Sequence, residues 1–334
     1  MDAAALVAAA VDIAAAFDRG GRLLAVGDGR PGADARHIAV EFLHPVIVGR
    51  RALPAAVGAQ RVGPDDVVVA IGYGSAPVAV PCDIAIADHQ VAEARHVIDL
   101  PQGDAYAAKE AALAAYHVLW ELVHLFLGAS TATGAGGSGL DVLYPMLAGH
   151  GSGPETHAAA IASTEEKLAE TTVLRARSLA DNDDQLDVAA RLLADAGTVF
   201  TFGNGGSASD AADLAIALAP KGWALSDDVA TVTALANDVS FEVVFARQLV
   251  TLARRSDAVV ALSTSGTSAN VLAGLRQAKQ LGLATIGFAG YDGGDMAGAE
   301  LDACCVVRST SIHRIQESTV TLYDEVLRRA GVLA

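Results

Sequence analysis

Three stretches of this sequence carry side chains able to do chemistry. Gly203-Asn204-Gly205-Gly206-Ser207 follows an apolar run and opens a helix-forming one. Its backbone N–H groups and the Ser207 hydroxyl can therefore converge on an anion at the positive end of a helix dipole. The loop has neither GxGxxG spacing nor the Lys of a P-loop, and a glycine-rich turn after a strand is also simply a tight turn. Ser263-Thr264-Ser265-Gly266-Thr267-Ser268 stands in the same context with several hydroxyl donors, a composition shared with ST-turns and helix N-caps. Two such loops at the ends of parallel strands match the place where an open sheet receives its ligand. The third stretch is His37-x-x-x-Glu41. These residues share one helix face, either as a surface pair worth about 0.2–0.5 kcal/mol or as acid–base machinery. His117, in an apolar helical run, reads on its own as a core histidine.

The elements that must position these groups occur twice. Arg22–Glu41 lays over Thr198–Ala217, each an apolar strand, a Gly-rich turn and a helix. Asp65–Ser75 lays over Ser256–Gly266, and Ala108–His124 over Ile315–Gly331, helical stretches that close each half. Short β-branched runs at Val67–Ile71, Ile84–Ala87, Val199–Phe202, Val259–Leu262 and Thr285–Phe288 alternate with helical periodicity, which predicts an α/β fold with parallel strands covered by helices on both faces. The expected organisation is one domain over 1–128, a Gly/Ser-rich linker over 129–153 and a second domain over 154–334. The linker carries an apolar patch at Leu140–Leu147. The second half adds a helical lead-in from about Glu155 to Ala196 and a segment, Leu225–Leu252, that the first half lacks.

Composition bounds the function classes. At 334 residues, 52% apolar and 19% charged, the chain is globular rather than disordered. No unbroken apolar run approaches the roughly 20 residues of a membrane span, and the Ala-rich start is broken by Asp2 and Asp12 and lacks a basic n-region. Three cysteines make no disulfide framework, so a cytoplasmic location is expected. A formal charge of −16 without a basic patch argues against nucleic-acid partners. It does not exclude a small phosphorylated ligand, which backbone N–H groups can hold.

GNGGSASDA, TALANDVSFEVVFARQL, STSGTSANV and IQE together resemble the sugar isomerase (SIS) fold, in particular the phosphoheptose isomerases that convert sedoheptulose 7-phosphate to a heptose 7-phosphate. The resemblance implies two tandem SIS-type domains. It also implies a sugar-phosphate site in which Asn204, Ser207, Ser263, Thr264, Ser265 and Ser268 hold the phosphate and Asp238 lies near the sugar hydroxyls. The family's His-x-x-x-Glu, with Glu as base, and its Gln and His eight residues apart on the last helix correspond in the second half to Asp213, Ala217, Gln316 and Asp324. The base and the histidines are gone there. The first half shows the reverse. It keeps His37, Glu41 and His117, while Gly72, Tyr73 and Gly74 replace Ser, Thr and Ser, and Lys109 stands for the Gln.

This complementary loss predicts a composite site, with Glu41 as base and His117 as proton shuttle in aldose–ketose isomerisation through an enediolate. The expected product is D-glycero-D-manno-heptose 7-phosphate. Arg50 or Arg51 would add positive charge. His37, Glu41, His117 and Gln316 offer N and O ligands, and some relatives carry zinc at this group, so zinc is a further expectation though not a required cofactor. A family that assembles as tetramers implies here a homodimer, a pseudo-tetramer of SIS domains. Two other readings compete: a non-catalytic SIS sugar-phosphate sensor or partner-binding protein, and an isomerase of a shorter sugar phosphate. Retention of His37, Glu41 and His117 weighs against the first.

Overall fold

The computed structural model describes residues 1–45, 52–130 and 154–332. Arg50, Arg51, His150 and the linker from residue 131 onward, with its apolar patch, lie outside the described residues. The chain divides into two compact units, Met1–Glu170 and Thr171–Ala334.

The first unit comprises α1 (Ala3–Asp18), β1 (Leu23–Val26), α2 (Gly29–Leu43), β2 (Ala55–Val57), β3 (Val67–Gly72), β4 (Ile84–Ala87), β5 (His96–Asp99) and α3 (Ala105–Ser130). The long helix α4 (Pro154–Asp181) crosses the division. α1 forms because alanine loses least on entering a helix, and the Asp2 carboxylate accepts from the Ala4 and Ala5 N–H groups at its start. The strands pair in parallel in the order β2-β1-β3-β4-β5, with Leu23 beside both Ala55 and Val67. All six residues of β3 are buried, as a central parallel strand covered on both faces requires. α3 packs against α1 and touches α2 and β4. Its Ala105–Leu127 stretch has the length and apolarity to cross a membrane, yet 83% of the most apolar window is buried inside the protein, the setting of a core helix.

The second unit runs through α5 (Asp183–Asp195), β6 (Val199–Phe202), α6 (Gly206–Ala217), β7 (Gly222–Ala224), α7 (Val229–Asp238), a 3-10 turn at Phe241–Val243, α8 (Val244–Leu252), β8 (Ala258–Ser263), α9 (Ala269–Leu281), β9 (Ala284–Gly290), α10 (Gly294–Ala297), β10 (Ala303–Val307) and α11 (Ile312–Arg329). Its sheet is again parallel, in the order β7-β6-β8-β9-β10, which repeats the first unit strand for strand. Phe200, Phe202, Phe245, Leu249, Val259 and Leu275 share one apolar core. The segment that the first half lacks becomes α7, the 3-10 turn and α8. β10 bears Cys304 and the fully buried Cys305, and burial pushes their thiols up to about 11 and about 12. The chain is therefore α/β with two five-stranded parallel sheets flanked by helices.

Candidate functional site

In each sheet the chain leaves its first strand to one side and returns on the other, so the strand order reverses between β1 and β3 and again between β6 and β8. Ligands of open α/β sheets bind outside the carboxyl ends of the strands at such a reversal. Both loops singled out in the second half lie there: Gly203–Gly205 leads from β6 into α6, and Thr264–Ser268 from β8 into α9.

A small crevice at this place is lined by Ser207, Asp210, Ser263, Thr264, Gln316 and Thr319, over the apolar side chains of Leu262 and Phe288. Asn204 and Asn270 exchange two side-chain hydrogen bonds, of 2.9 and 2.8 Å, and so tie the first loop to the start of α9. Ser263 Oγ accepts from the Gly266 N–H at 3.1 Å and lies 3.3 Å from Ser268 Oγ. Ser265 Oγ accepts from the Thr267 N–H and hydroxyl. Gly266 has φ +67°, and a Cβ there would lie 2.1 Å from the Gly293 carbonyl oxygen, so only glycine fits this bend. Ser268 begins α9 without capping it through its hydroxyl. Asp238 ends α7 in an exposed position, accepts from the Asn237 amide at 2.7 Å, and does not line the crevice.

In the first unit the surface reading of His37 and Glu41 fails: both are buried on α2, at 0% and 3% exposure. His37 Nε2 stands 3.5 Å from Glu41 Oε1. His117 reaches them from α3, and one donor atom from each of the three lies within 4.8 Å of the others. The His37 and His117 rings meet edge to face, 5.3 Å between centroids. Two imidazoles and a carboxylate form a ligand set that catalytic zinc uses, with a fourth position left for water or substrate, so these three residues fit such an ion. Gln316, the fourth ligand expected, is buried on α11 in the second unit.

Several residues at these places escape sequence reasoning. Asp210 and Thr319 line the crevice, and in the first unit the carboxylate of Asp34 pairs with Lys109. Asp34 also accepts from Tyr73 Oη at 2.6 Å and Tyr116 Oη at 3.2 Å, all four residues being buried. The repeat held the signal: Asp34 aligns with Asp210 and Tyr116 with Tyr323, an acid and a phenol kept in both halves. Lys109, Tyr73 and Asp34 align with Gln316, Thr264 and Asp210. Where the second unit has a crevice, the first has an ion pair under a tyrosine. Of the remaining histidines, His89 bonds the Val78 N–H and the Asp88 carboxylate, and His96 bonds Asp12.

The SIS domain family matches residues 168–290. The phosphoheptose isomerase of Paramagnetospirillum magneticum is 43% identical over 139 residues, 39% of this chain and 72% of that protein. The phosphoheptose isomerase of Helicobacter pylori is 37% identical over 171 residues, 47% of this chain and 88% of that protein. Among solved structures, the C-terminal domain of glucosamine-fructose-6-phosphate aminotransferase from Francisella tularensis shares the fold across 99% of this chain and 93% of its own, with a TM-score of 0.60 at 12% identity. Sequence identity to most of the length of such relatives, together with the hydroxyl-lined crevice at the sheet's reversal, assigns the protein: it belongs to the phosphoheptose isomerase family of SIS-domain proteins.

Proposed function

We propose that the protein isomerises sedoheptulose 7-phosphate to D-glycero-D-manno-heptose 7-phosphate through an enediolate. The observation that carries this reading is the retention of His37, Glu41 and His117 as one buried cluster in a chain whose other half keeps the hydroxyl loops. A protein that only bound a sugar phosphate would need the loops alone.

The reaction moves one proton from C1 of the ketose to C2 and another between the two oxygens. A single carboxylate reaching both carbons suits the first transfer, and an imidazole that titrates near neutrality suits the second. Glu41 is assigned the carbon transfer and His117 the oxygen transfer. Asn204, Ser207, Ser263, Thr264, Ser265 and Ser268 are assigned to the phosphate, through N–H and hydroxyl donors that need no net positive charge. Asp238 and Gln316 are assigned to the sugar. Zinc, if bound by His37, Glu41 and His117 with Gln316, would act as a Lewis acid on the substrate oxygens. The assembly we assign is a homodimer in the cytoplasm, with a small-molecule sugar phosphate as ligand and neither nucleic acid nor membrane as partner.

The test is turnover of sedoheptulose 7-phosphate in D2O followed by NMR. Appearance of the aldose with deuterium at C2 is the expected result. Tight binding without turnover or exchange would replace the isomerase by a sugar-phosphate sensor, and faster turnover of a pentose phosphate would shorten the substrate.

A further inference from the structure

One buried side chain of the first unit takes no part in the chemistry above, although it touches both histidines that do. The Tyr116 ring lies 5.3 Å from the His37 ring and 5.1 Å from the His117 ring, centroid to centroid, and is nearly perpendicular to the latter at 79°. With the 5.3 Å contact between the imidazoles themselves, the three rings close a triangle. Edge-to-face contacts of this kind fix ring planes as well as distances. The far end of the phenol is anchored, since Tyr116 Oη donates to Asp34 Oδ1 at 3.2 Å. Asp34 is itself held by Lys109 and by Tyr73 Oη at 2.6 Å. Asp34, Lys109, Tyr73 and Tyr116 are at most 2% exposed.

The second unit shows what the same tyrosine does when aspartates stand at the two histidine positions, Asp213 for His37 and Asp324 for His117. Tyr323, aligned with Tyr116, donates at 2.7 Å to Asp213, which occupies the His37 position. In both units the tyrosine meets the side chain at that position. In the first its hydroxyl donates one helical turn back, to Asp34, and its ring packs against the imidazole.

We propose that Tyr116, anchored by the Asp34–Lys109 pair, is a positioning residue that sets the ring planes of His37 and His117 for catalysis. The proposal rests on the isomerase reading, because it concerns the same His37–Glu41–His117 cluster. Without the anchor the phenyl ring would still fill its space, while the orientation of the imidazoles would be less restricted. Orientation errors well below the size of a side chain are costly to proton transfer.

The test is Tyr116→Phe in the full chain, read by the imidazole signals of histidine-labelled protein, by kcat and KM, and by thermal melting. The expected result is movement or broadening of the His37 and His117 signals, with those of His89 and His96 unchanged. Alongside it kcat should fall about tenfold with KM nearly unaltered, and the melting temperature should drop by no more than the few degrees that one buried hydrogen bond accounts for. Unmoved ring signals would overturn the proposal, and so would a fall in kcat that tracks a loss of thermal stability. Wild-type protein inert toward sedoheptulose 7-phosphate would sink the isomerase reading alone, since the ring signals still decide whether Tyr116 orients the histidines.

Discussion

The two units share a strand order, a reversal point, an aspartate one turn into the helix after the first strand and a tyrosine on the closing helix, yet they fill the reversal point differently. In the second unit Ser207, Ser263, Thr264 and Gln316 face a crevice. In the first, the aligned Lys109 and Tyr73 turn onto Asp34 and satisfy it internally. The difference teaches that topology fixes where a ligand can go, whereas a few side chains decide whether anything is admitted. The same division extends to the chemistry. The unit whose crevice is filled keeps two histidines and a glutamate in contact, and the unit with the crevice has Asp213, Ala217 and Asp324 at their positions.

The comparison breaks most readily at Glu41. Glu41→Gln keeps the shape and removes the carboxylate proposed as base, so turnover should fall by about 10³-fold or more while sugar-phosphate binding stays within several-fold. Turnover at the wild-type rate would strip Glu41 of its role. Next in size is the filled crevice. Lys109→Met takes the ammonium away from the buried Asp34 carboxylate and should cost about 3–5 kcal/mol in chemical denaturation, most of it regained in the Asp34→Asn/Lys109→Met double variant. A single variant as stable as wild type would show that the pair does not hold the first unit together.

Smaller effects sharpen the contrast between the loops. Ser265→Ala removes a hydroxyl proposed to donate to the charged phosphate, and should cost about 1.5–3 kcal/mol or at least tenfold in Kd by calorimetry. Ser75→Ala, in the corresponding loop of the first unit, should leave Kd unchanged. The same titration should give one sugar phosphate per chain. A stoichiometry of two would mean that the first crevice opens to ligand.

Much of this architecture was legible in the sequence because β-branched runs between helical stretches admit few other readings. The runs at Ile84–Ala87 and Val199–Phe202 are strands β4 and β6 with those bounds. Those at Val67–Ile71, Val259–Leu262 and Thr285–Phe288 grow by one to three residues into β3, β8 and β9. β2, β5 and β7 gave no such signal. Ala55–Val57 and Gly222–Ala224 are three residues long, and β7 includes a glycine and an exposed tryptophan. Both are edge strands, paired on one side only. At the site, the loops announced themselves by composition, while the Asp34–Lys109 pair joins residues 75 positions apart. A lysine on a helix reads as solvated, because burying one is costly unless a partner waits, and nothing local in the sequence names that partner.

The buried pair also bears on how this chain could change over generations. To regain a hydroxyl-lined crevice, the first unit would have to lose the ammonium of Lys109 and the phenol of Tyr73. Yet removing Lys109 first leaves the buried Asp34 carboxylate without its ammonium, and neutralising Asp34 first leaves a buried ammonium without its carboxylate. Each single step lowers stability before any binding returns. The ion pair therefore acts as a ratchet: the neighbouring sequences that lead back to an open crevice are less stable than the one they leave.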